Sequence, residues 1–316
     1  MAQVPKSGLT DLREQFDIIY PEEFSFNESD VKRHIVDADG VLSVFTLPLR
    51  ADVLQLAPQL QIISNFGVGY NNIDLDYATT RGIAVCNTPD AVTEPTAEMA
   101  MGLMIAVMRR ISETDRKLRS TSGLKWGMME NLGSSLLGKT LGIIGMGRIG
   151  RALARRAVAS GMKVIYYNRT RLDASLEQAY GANWVSFNGL VQQSDVISLN
   201  CPLTDDTHHL IADNQISQMK DGVFIINTSR GAVIDERALV RNLASGKIGG
   251  AGLDVFEEEP TISRELFLMD NVVLTPHNAT GTIDTRIITA REASGNIIRF
   301  FEGRRDISIV NPGIWR

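Results

Sequence analysis

One segment, LGIIGMGRIGRALARRA at residues 141–157, constrains the fold of this chain more than any other feature. An apolar run typical of a buried strand leads into the spacing G-x-G-x-x-G, and an alanine-rich helical pattern follows. Gly145 permits a tight turn, Gly147 lets the backbone approach an anion, and Gly150 lets the helix pack closely on the strand. The segment therefore predicts a dinucleotide-binding unit whose helix N-terminus attracts phosphate. The alternative is a glycine-rich turn that binds no ligand.

Short apolar runs alternate with helical patterns from residue 139 to residue 276. Strands are predicted at 140–144, 163–168, 195–200, 222–227, 250–255 and 272–275. Helices are predicted at 148–160, 173–180, 187–193 and 235–245. Alternating strands and helices favour a parallel sheet with right-handed crossovers, so we expect a complete doubly wound unit of six strands here.

The first part of the chain shows the same alternation. Strands are predicted at 16–20, 41–46, 60–66 and 82–87, and helices at 28–38 and 51–59. One long helix is predicted over 93–119, with Pro95 in its first turn, where a missing N–H costs nothing. A last helix over 283–301 is expected to cross back to the first lobe, which would make that lobe discontinuous in sequence.

The strand after the glycine loop ends in Asn168, Arg169 and Thr170. An NAD site usually has an acidic residue about 20 residues after the glycines, which bonds the ribose 2′-hydroxyl. A guanidinium can instead bind a 2′-phosphate bidentately, and the Asn and Thr side chains can add hydrogen bonds. The sequence therefore predicts NADP(H) in preference to NAD(H), although a merely solvated Arg169 remains the alternative. The loop residues expected at the cofactor are Gly145, Met146, Gly147, Arg148, Ile149 and Gly150.

Three later motifs carry the residues suited to chemistry. They are INTSRGAVIDE at 226–236, GLDVFEEEP at 252–260 and LTPHNATGT at 274–282. Each lies at or just beyond the carboxyl end of a predicted strand, which is the edge where open α/β sheets bind ligands. One arginine, one glutamate and one histidine, Arg230, Glu259 and His277, are therefore expected to converge there.

With these ordered motifs, nearly the whole chain resembles the D-isomer-specific 2-hydroxyacid dehydrogenase family, and within it the glyoxylate/hydroxypyruvate reductase branch. The resemblance begins at NFGVGYNNID, residues 65–74, and runs through the histidine motif. The fold expected is α/β, with two doubly wound parallel-sheet domains and a cleft between them. Residues 1–95 and 285–316 would form a flavodoxin-like substrate domain, and residues 96–284 a Rossmann domain that binds the cofactor.

The resemblance also implies roles for individual residues. Arg230 would orient the substrate, Glu259 would be the acid paired with the histidine, and His277 would be the catalytic acid/base. Backbone N–H groups near Val68 and Gly69 would help to hold the substrate carboxylate. Asp254 would contact the nicotinamide carboxamide. The floor of the cofactor site would be lined by Cys201, Pro202, Thr228 and Ser229.

The chemistry of the reaction supports these roles independently. Reducing a 2-oxo acid needs a cation for the carboxylate and a proton for the developing alkoxide. Arg230 can grip a carboxylate bidentately, and His277 can donate a proton near neutral pH. A neighbouring Glu259 would fix the imidazole ring. Of the three consecutive glutamates, Glu257 and Glu258 are expected to be solvated. The alternatives are a structural His277 and a surface Arg230.

Several alternatives stay open at this point. Asn278, Ala279 and Thr280 follow the histidine where the family commonly has x-Gly-Ser, which leaves the substrate in doubt. The expected activity is NADPH-dependent reduction of glyoxylate, hydroxypyruvate or 2-ketogluconate to the D-2-hydroxy acid. An NAD-dependent dehydrogenase for another substrate, and a nucleotide-sensing corepressor-like binding protein, are the competing functions. Formate dehydrogenases differ, because they place glutamine where Glu259 stands.

Composition narrows the possible partners. A net charge of −5 argues against nucleic acid, and the longest apolar stretch, near 101–108, is too short for a bilayer. Two distant cysteines, and adjacent His208 and His209 with no evident partner cluster, predict neither disulfide nor metal site. A cytoplasmic location is therefore expected. The resemblance further implies a homodimer formed through residues 93–119, while Trp126 either packs or gates a neighbouring subunit's substrate.

Overall fold

The computed structural model describes residues 2–120 and 123–315. The strands in the described residues are β1 Gly40–Ser43, β2 Ile62–Asn65, β3 Ala84–Cys86, β4 Thr140–Ile144, β5 Lys163–Tyr167, β6 Ala182–Trp184, β7 Val196–Leu199, β8 Val223–Asn227, β9 Ile248–Leu253 and β10 Val272–Leu274. The α-helices there are α1 Thr10–Gln15, α2 Glu28–His34, α3 Ala51–Leu54, α4 Leu75–Thr80, α5 Thr93–Met108, α6 Ile111–Arg119, α7 Arg148–Ala159, α8 Ala174–Tyr180, α9 Phe187–Gln193, α10 Asp213–Gln218, α11 Glu236–Ser245, α12 Arg264–Phe267 and α13 Ile283–Phe301. No helix of the described part is both long enough and apolar enough to span a membrane.

The chain divides into two compact units. The small unit comprises Met1–Val92 together with Thr280–Arg316, and the large unit is Thr93–Ala279. The boundaries predicted from the sequence, 95/96 and 284/285, lie a few residues later in each case.

The small unit is built on a parallel sheet of three strands in the order β1-β2-β3. Strand β2 is the central one and all four of its residues are buried. The C-terminal helix α13 packs on this sheet, and Asn296 Nδ2 donates to the Asn87 carbonyl at 3.0 Å while Ser294 Oγ donates to the Gly8 carbonyl at 3.1 Å. The C-terminal segment thus supplies one layer of a unit that is otherwise formed by the first 92 residues.

The strand predicted at residues 16–20 is absent, so the sheet of the small unit has one strand fewer than expected. Phe16 has extended backbone angles, but the segment pairs with no strand in the described chain. Its side chains are used for packing instead, since the Phe16 ring lies 5.3 Å from that of Phe301 and the Tyr20 hydroxyl donates to the Val4 carbonyl at 2.7 Å. The apolar residues of this segment therefore pack against the rest of the small unit and form no hydrogen bonds within the sheet.

The large unit holds a seven-stranded, wholly parallel sheet in the order β10-β9-β8-β7-β4-β5-β6. Six of these strands were predicted; the seventh, β6, pairs with β5 at one edge. From β4 the strands are added in one direction through β5 to β6, and then in the other direction from β7 to β10. The order therefore reverses between β4 and β7, which are neighbours in the sheet. In doubly wound sheets this switch point is where the loops at the carboxyl ends part and a ligand can enter.

The single long helix predicted over 93–119 is two helices, α5 and α6. Arg110 has the left-handed φ of 56°, which ends the first helix and starts the second. The carbonyl of Met108 accepts the N–H of Ser134 at 2.7 Å, and the Arg110 guanidinium is held by Glu113 at 2.6 Å. These contacts stabilise a break that helical periodicity alone does not reveal. Pro95 lies in the first turn of α5, as predicted.

Other differences are smaller. The helix predicted at 51–59 ends at Leu54, and the one predicted at 28–38 ends at His34 and continues as a 3-10 turn over Ile35–Asp37. Four short helices, α1, α4, α10 and α12, were not predicted. Helix α9 and the final helix α13 have the bounds that were predicted.

Candidate active site

The glycine loop connects β4 to α7 and is shaped by close backbone contacts. Gly145 has φ 96°, and a Cβ there would lie 2.6 Å from the carbonyl carbon of Asn200. A Cβ on Gly150 would lie 2.3 Å from the Gly145 carbonyl oxygen. Both positions therefore require glycine for packing within the protein. A Cβ on Gly147 would meet nothing within 4 Å, so this glycine, at the N-terminus of α7, opens a space that the described chain does not fill.

The segment after β5 reaches the same loop. Asn168 Oδ1 accepts the N–H of Met146 at 2.7 Å, so this side chain holds the glycine loop in place. Arg169 is largely exposed and its nearest acid is the equally exposed Asp206, 3.6 Å away. Arg171, by contrast, is held by two hydrogen bonds to Glu177, at 2.9 and 2.7 Å. Arg169 is thus the more available of the two guanidinium groups.

Buried polar atoms without a partner mark the carboxyl edge of the sheet. Five such side-chain atoms occur in the described residues, and three of them follow strands of this edge: Asn200 Oδ1, Thr228 Oγ1 and Asn278 Oδ1. Unpaired buried polar atoms are costly, so a group of them indicates a missing hydrogen-bonding ligand. Together with the open space at Gly147, they fit a dinucleotide lying along this edge.

His277 and Glu259 form a short hydrogen-bonded pair in the large unit. The Nδ1 atom of His277 lies 2.6 Å from Glu259 Oε2, and both side chains are partly exposed. His277 has φ 49°, in the left-handed region that few non-glycine residues adopt. The pair uses Nδ1, so the other ring nitrogen, Nε2, lies on the side of the ring away from Glu259.

Two hydrogen bonds and two neighbouring charges hold the Glu259 carboxylate as an anion. Burial raises the pKa of Glu259, but the His277 hydrogen bond, the Phe256 N–H at 3.0 Å and the charges of His277 and Arg230 lower it more. The pKa of Glu259 therefore lies below its ordinary value, and the carboxylate is ionised at neutral pH. It is then able to fix the ring of His277 and to stabilise a positive charge on it.

Arg230 follows β8 and is brought to the same loop as Glu259 by an unusually close backbone approach. A Cβ on Gly231 would lie 1.8 Å from the carbonyl carbon of Phe256, so only glycine allows the two loops to pack together. Burial lowers the pKa of Arg230, while the charge of Glu259 raises it. Nη1 of Arg230 donates to the Ser229 carbonyl at 2.6 Å, which orients the guanidinium.

Asp254, expected from the resemblance to contact the nicotinamide carboxamide, holds the histidine loop, and the sequence did not predict this role. Its carboxylate is 1% exposed and accepts three hydrogen bonds, from Thr275 Oγ1 at 2.6 Å and from the N–H groups of Asn278 and Ala279, both at 2.9 Å. The backbone carbonyl of Asp254 also accepts the N–H of His277 at 2.8 Å. An Asp directly after a predicted strand, about two dozen residues before the histidine, is the sequence signal that could have indicated this role.

The expectation that Glu257 is solvated and that His208 and His209 have no partner was wrong. His209 Nε2 lies 2.6 Å from Glu257 Oε1, and the two adjacent histidine rings stack with centroids 4.0 Å apart. Glu257 Oε2 accepts the N–H of Glu236 at 3.0 Å. Long-range packing creates this cluster of two histidines and one glutamate, whereas spacing along the chain does not reveal it. Glu258 is exposed, as expected.

Cys201, Pro202 and Ser229 follow strands β7 and β8 at this edge. Thr207 Oγ1 donates to the Pro202 carbonyl at 2.6 Å, and burial raises the pKa of the Cys201 thiol to about 11. The N–H and hydroxyl of Ser229 both donate to Asn227 Oδ1, at 3.0 and 2.8 Å. Trp126 is 85% exposed, so it is not packed within its own chain.

In the small unit, the loop that contains Val68 and Gly69 turns its carbonyl groups inward. Asn65 Nδ2 donates to the carbonyls of Gly67 and Gly69, at 3.2 and 2.9 Å, and Asn87 Nδ2 donates to that of Val68 at 3.0 Å. In the described chain, the N–H groups of Val68 and Gly69 have no acceptor. This arrangement leaves two neighbouring donors that can bind an anion.

A doubly wound parallel sheet, a glycine loop at a helix N-terminus and a His–Glu pair beside a buried arginine define an oxidoreductase that uses a dinucleotide. The family model for the D-isomer specific 2-hydroxyacid dehydrogenase NAD binding domain matches residues 101–279. The chain belongs to the D-isomer-specific 2-hydroxyacid dehydrogenase family.

Similar proteins span the full chain. A glyoxylate reductase of Thermococcus litoralis is 42% identical over 99% of this chain and 96% of its own length. A structure of an NADPH-dependent glyoxylate/hydroxypyruvate reductase from Sinorhizobium meliloti matches with a TM-score of 0.86, at 30% identity, over 98% of this chain and 97% of the other. A D-lactate dehydrogenase from Aquifex aeolicus, in complex with NAD and lactic acid, has a TM-score of 0.85 and 31% identity, covering 97% and 96%.

Proposed function

We propose that this protein catalyses the NADPH-dependent reduction of a small 2-oxo acid to the D-2-hydroxy acid. Glyoxylate and hydroxypyruvate are the substrates we infer, with 2-ketogluconate as a further candidate. The His277–Glu259 pair, with its 2.6 Å contact beside the buried Arg230, is the observation that carries the proposal. The similarity to proteins named glyoxylate reductase adds support.

In this mechanism the residues of the chain bind, orient and protonate the substrate, and the reduced nicotinamide supplies the hydride. Arg230 binds the carboxylate and places the carbonyl carbon for attack. The backbone N–H groups of Val68 and Gly69 assist in holding the carboxylate. Glu259 fixes the imidazole through Nδ1, and His277 Nε2 delivers a proton to the oxygen as negative charge develops there.

The preference for NADPH over NADH rests on the residues after β5. No carboxylate stands at Asn168, Arg169 or Thr170, and an acid there would repel a 2′-phosphate. Arg169 is 84% exposed and only loosely paired with Asp206, so it is able to turn toward a phosphate. NAD(H) remains a usable cofactor in this proposal, since relatives are named with either NAD or NADPH.

A substrate panel tests the proposal directly. We expect the purified protein to oxidise NADPH with millimolar glyoxylate or hydroxypyruvate at ordinary enzymatic rates, of the order of 1–1,000 per second. The panel should be run with NADPH and NADH in parallel. Negligible turnover over a broad set of 2-oxo acids with both cofactors would overturn the proposal and favour a binding role.

We further propose that the protein is a homodimer. Several large apolar side chains in the segment after α6 are strongly exposed: Trp126, Met128, Met129, Leu132 and Leu137. Several large apolar side chains exposed in one segment are typical of an interface with another subunit. Size-exclusion chromatography with light scattering should give about twice the 34.7 kDa mass of the chain. A monomer at micromolar concentration would contradict this.

A further inference from the structure

Arg286 is a half-buried cation that no anion among the described residues balances. It lies in the first turns of α13, in the small unit, and makes no ion pair or side-chain hydrogen bond with any described residue. Burial lowers the pKa of Arg286, and no carboxylate acts against that effect. Removing a charge from water without a partner is costly, so such an arginine indicates a site for an anion.

Arg286 lies next to the start of the loop whose Val68 and Gly69 N–H groups have no acceptor in the described chain. Its guanidinium carbon lies 5.7 Å from the centre of the Phe66 ring, and Phe66 is the residue from which that loop starts. Phe66 is 8% exposed, and its N–H donates to the Ser43 carbonyl at 2.8 Å, so the ring is a fixed support. Stacking on this ring holds the guanidinium near the loop without neutralising it.

We propose that Arg286 is the cation of a carboxylate site in the small unit, whose other donors are the N–H groups of Val68 and Gly69. Its ligand is the carboxylate of the 2-oxo acid, so the inference rests on the proposed function and adds a residue to it. Two amide donors and a guanidinium match the acceptor oxygens of a carboxylate. The loop is already held by Asn65 and Asn87, so it needs little reordering to bind.

Arg286 and Arg230 should then differ in their kinetic effects. Arg230 stands next to Glu259 and affects both binding and the transition state. In this proposal Arg286 only binds the carboxylate, which carries the same charge in substrate and transition state. Loss of such uniform binding raises KM and leaves kcat unchanged.

The test compares Arg286→Gln and Arg286→Lys with Arg291→Gln, an exposed arginine five residues later on the same helix. For Arg286→Gln we expect the KM for glyoxylate and the inhibition constant of oxalate to rise about tenfold or more, with kcat within about twofold. The Lys variant should recover part of the affinity because it keeps the charge, and Arg291→Gln should match the wild type. The KM for NADPH should be unchanged in all three, which a general loss of structure would not allow.

A thermal-shift experiment separates this inference from the proposed function. Oxalate at millimolar concentration should raise the melting temperature of the wild type and of Arg291→Gln, and raise that of Arg286→Gln clearly less. If the wild type reduces no 2-oxo acid yet shows this pattern, the function is wrong and the anion site stands. If Arg286→Gln keeps the wild-type KM and the same shift with oxalate, the inference is overturned.

Discussion

Two histidine–glutamate pairs of the large unit have nearly the same geometry. His277 contacts Glu259 and His209 contacts Glu257, each at 2.6 Å. Both histidines have left-handed backbones, with φ of 49° and 50°, and both glutamates belong to the motif GLDVFEEEP. Exposure does not separate them either, since all four side chains are 26–35% exposed.

The surroundings of the two pairs differ. His277 is bound through Nδ1, and its glutamate feels the charge of the buried Arg230. His209 is bound through Nε2, and its glutamate also accepts the N–H of Glu236 at the start of α11. One pair therefore faces a cation suited to a substrate, and the other ties three loops together. A short His–Glu contact therefore does not by itself identify a catalytic site; the charged and polar groups around the pair have to be considered as well.

The largest effect should come from His277 and Arg230, the two residues that we propose to contact the substrate. His277→Ala and Arg230→Ala should each lower kcat/KM for glyoxylate by about 1,000-fold, because proton transfer and orientation are lost. NADPH binding, followed by fluorescence, should be largely intact. His209→Ala is the matched control and should keep most of the activity. Near-normal turnover in either of the first two variants would remove the role assigned to that residue.

A smaller loss is expected for Glu259→Gln, about 100-fold in kcat/KM, since the amide still positions the ring but carries no charge. The pKa of Glu259 lies below its ordinary value in the folded protein, so its carboxylate stabilises the fold above the pKa of the unfolded chain. That contribution is lost as the pH falls through the lowered, folded-state pKa. In urea unfolding, the gap between wild type and variant should be present at pH 7 and should narrow well below pH 4.5. A gap that is the same at both values would show that the charge contributes nothing.

The cofactor preference should respond to Arg169 but not to its neighbour. Arg169→Asp should lower the ratio of kcat/KM for NADPH to that for NADH by more than about tenfold, because a carboxylate repels the 2′-phosphate. Arg171→Gln is the control, since Arg171 is already held by Glu177, and its ratio should stay within about threefold of the wild type. An unchanged ratio in the Arg169 variant would show that this segment does not determine the preference for NADPH.

Local pattern predicted the parts of the fold that local forces determine. The strand predicted at 140–144 is β4, and the helix predicted at 148–160 ends one residue earlier, because the residues of strand, glycine turn and helix follow one another directly in the sequence. The helix break at Arg110 could not be predicted, since it depends on Ser134 donating to the Met108 carbonyl. Strand β6 was missed because it is three residues long and two of them are exposed.

The same distinction applies to the site. Motifs at the ends of β8, β9 and β10 pointed to Arg230, Glu259 and His277, since parallel strands bring their carboxyl ends to one edge. The contact of His209 with Glu257 joins residues 48 positions apart whose loops meet only in the folded unit. The loop-holding contacts of Asp254 likewise depend on the folded path of residues 275–279.

The second pair should affect stability and leave catalysis nearly unchanged. His209→Ala and Glu257→Gln should each lower the free energy of unfolding by about 1–2 kcal/mol, because a hydrogen bond between partly buried groups is lost. Their kcat/KM should remain within about threefold of the wild type, since Glu257 holds the loop after β7 and the start of α11 rather than a group that reaches substrate. Chemical unfolding and steady-state kinetics on the same samples measure both quantities. A 100-fold fall in kcat/KM with unchanged stability would place this pair in the chemistry and erase the difference between the two.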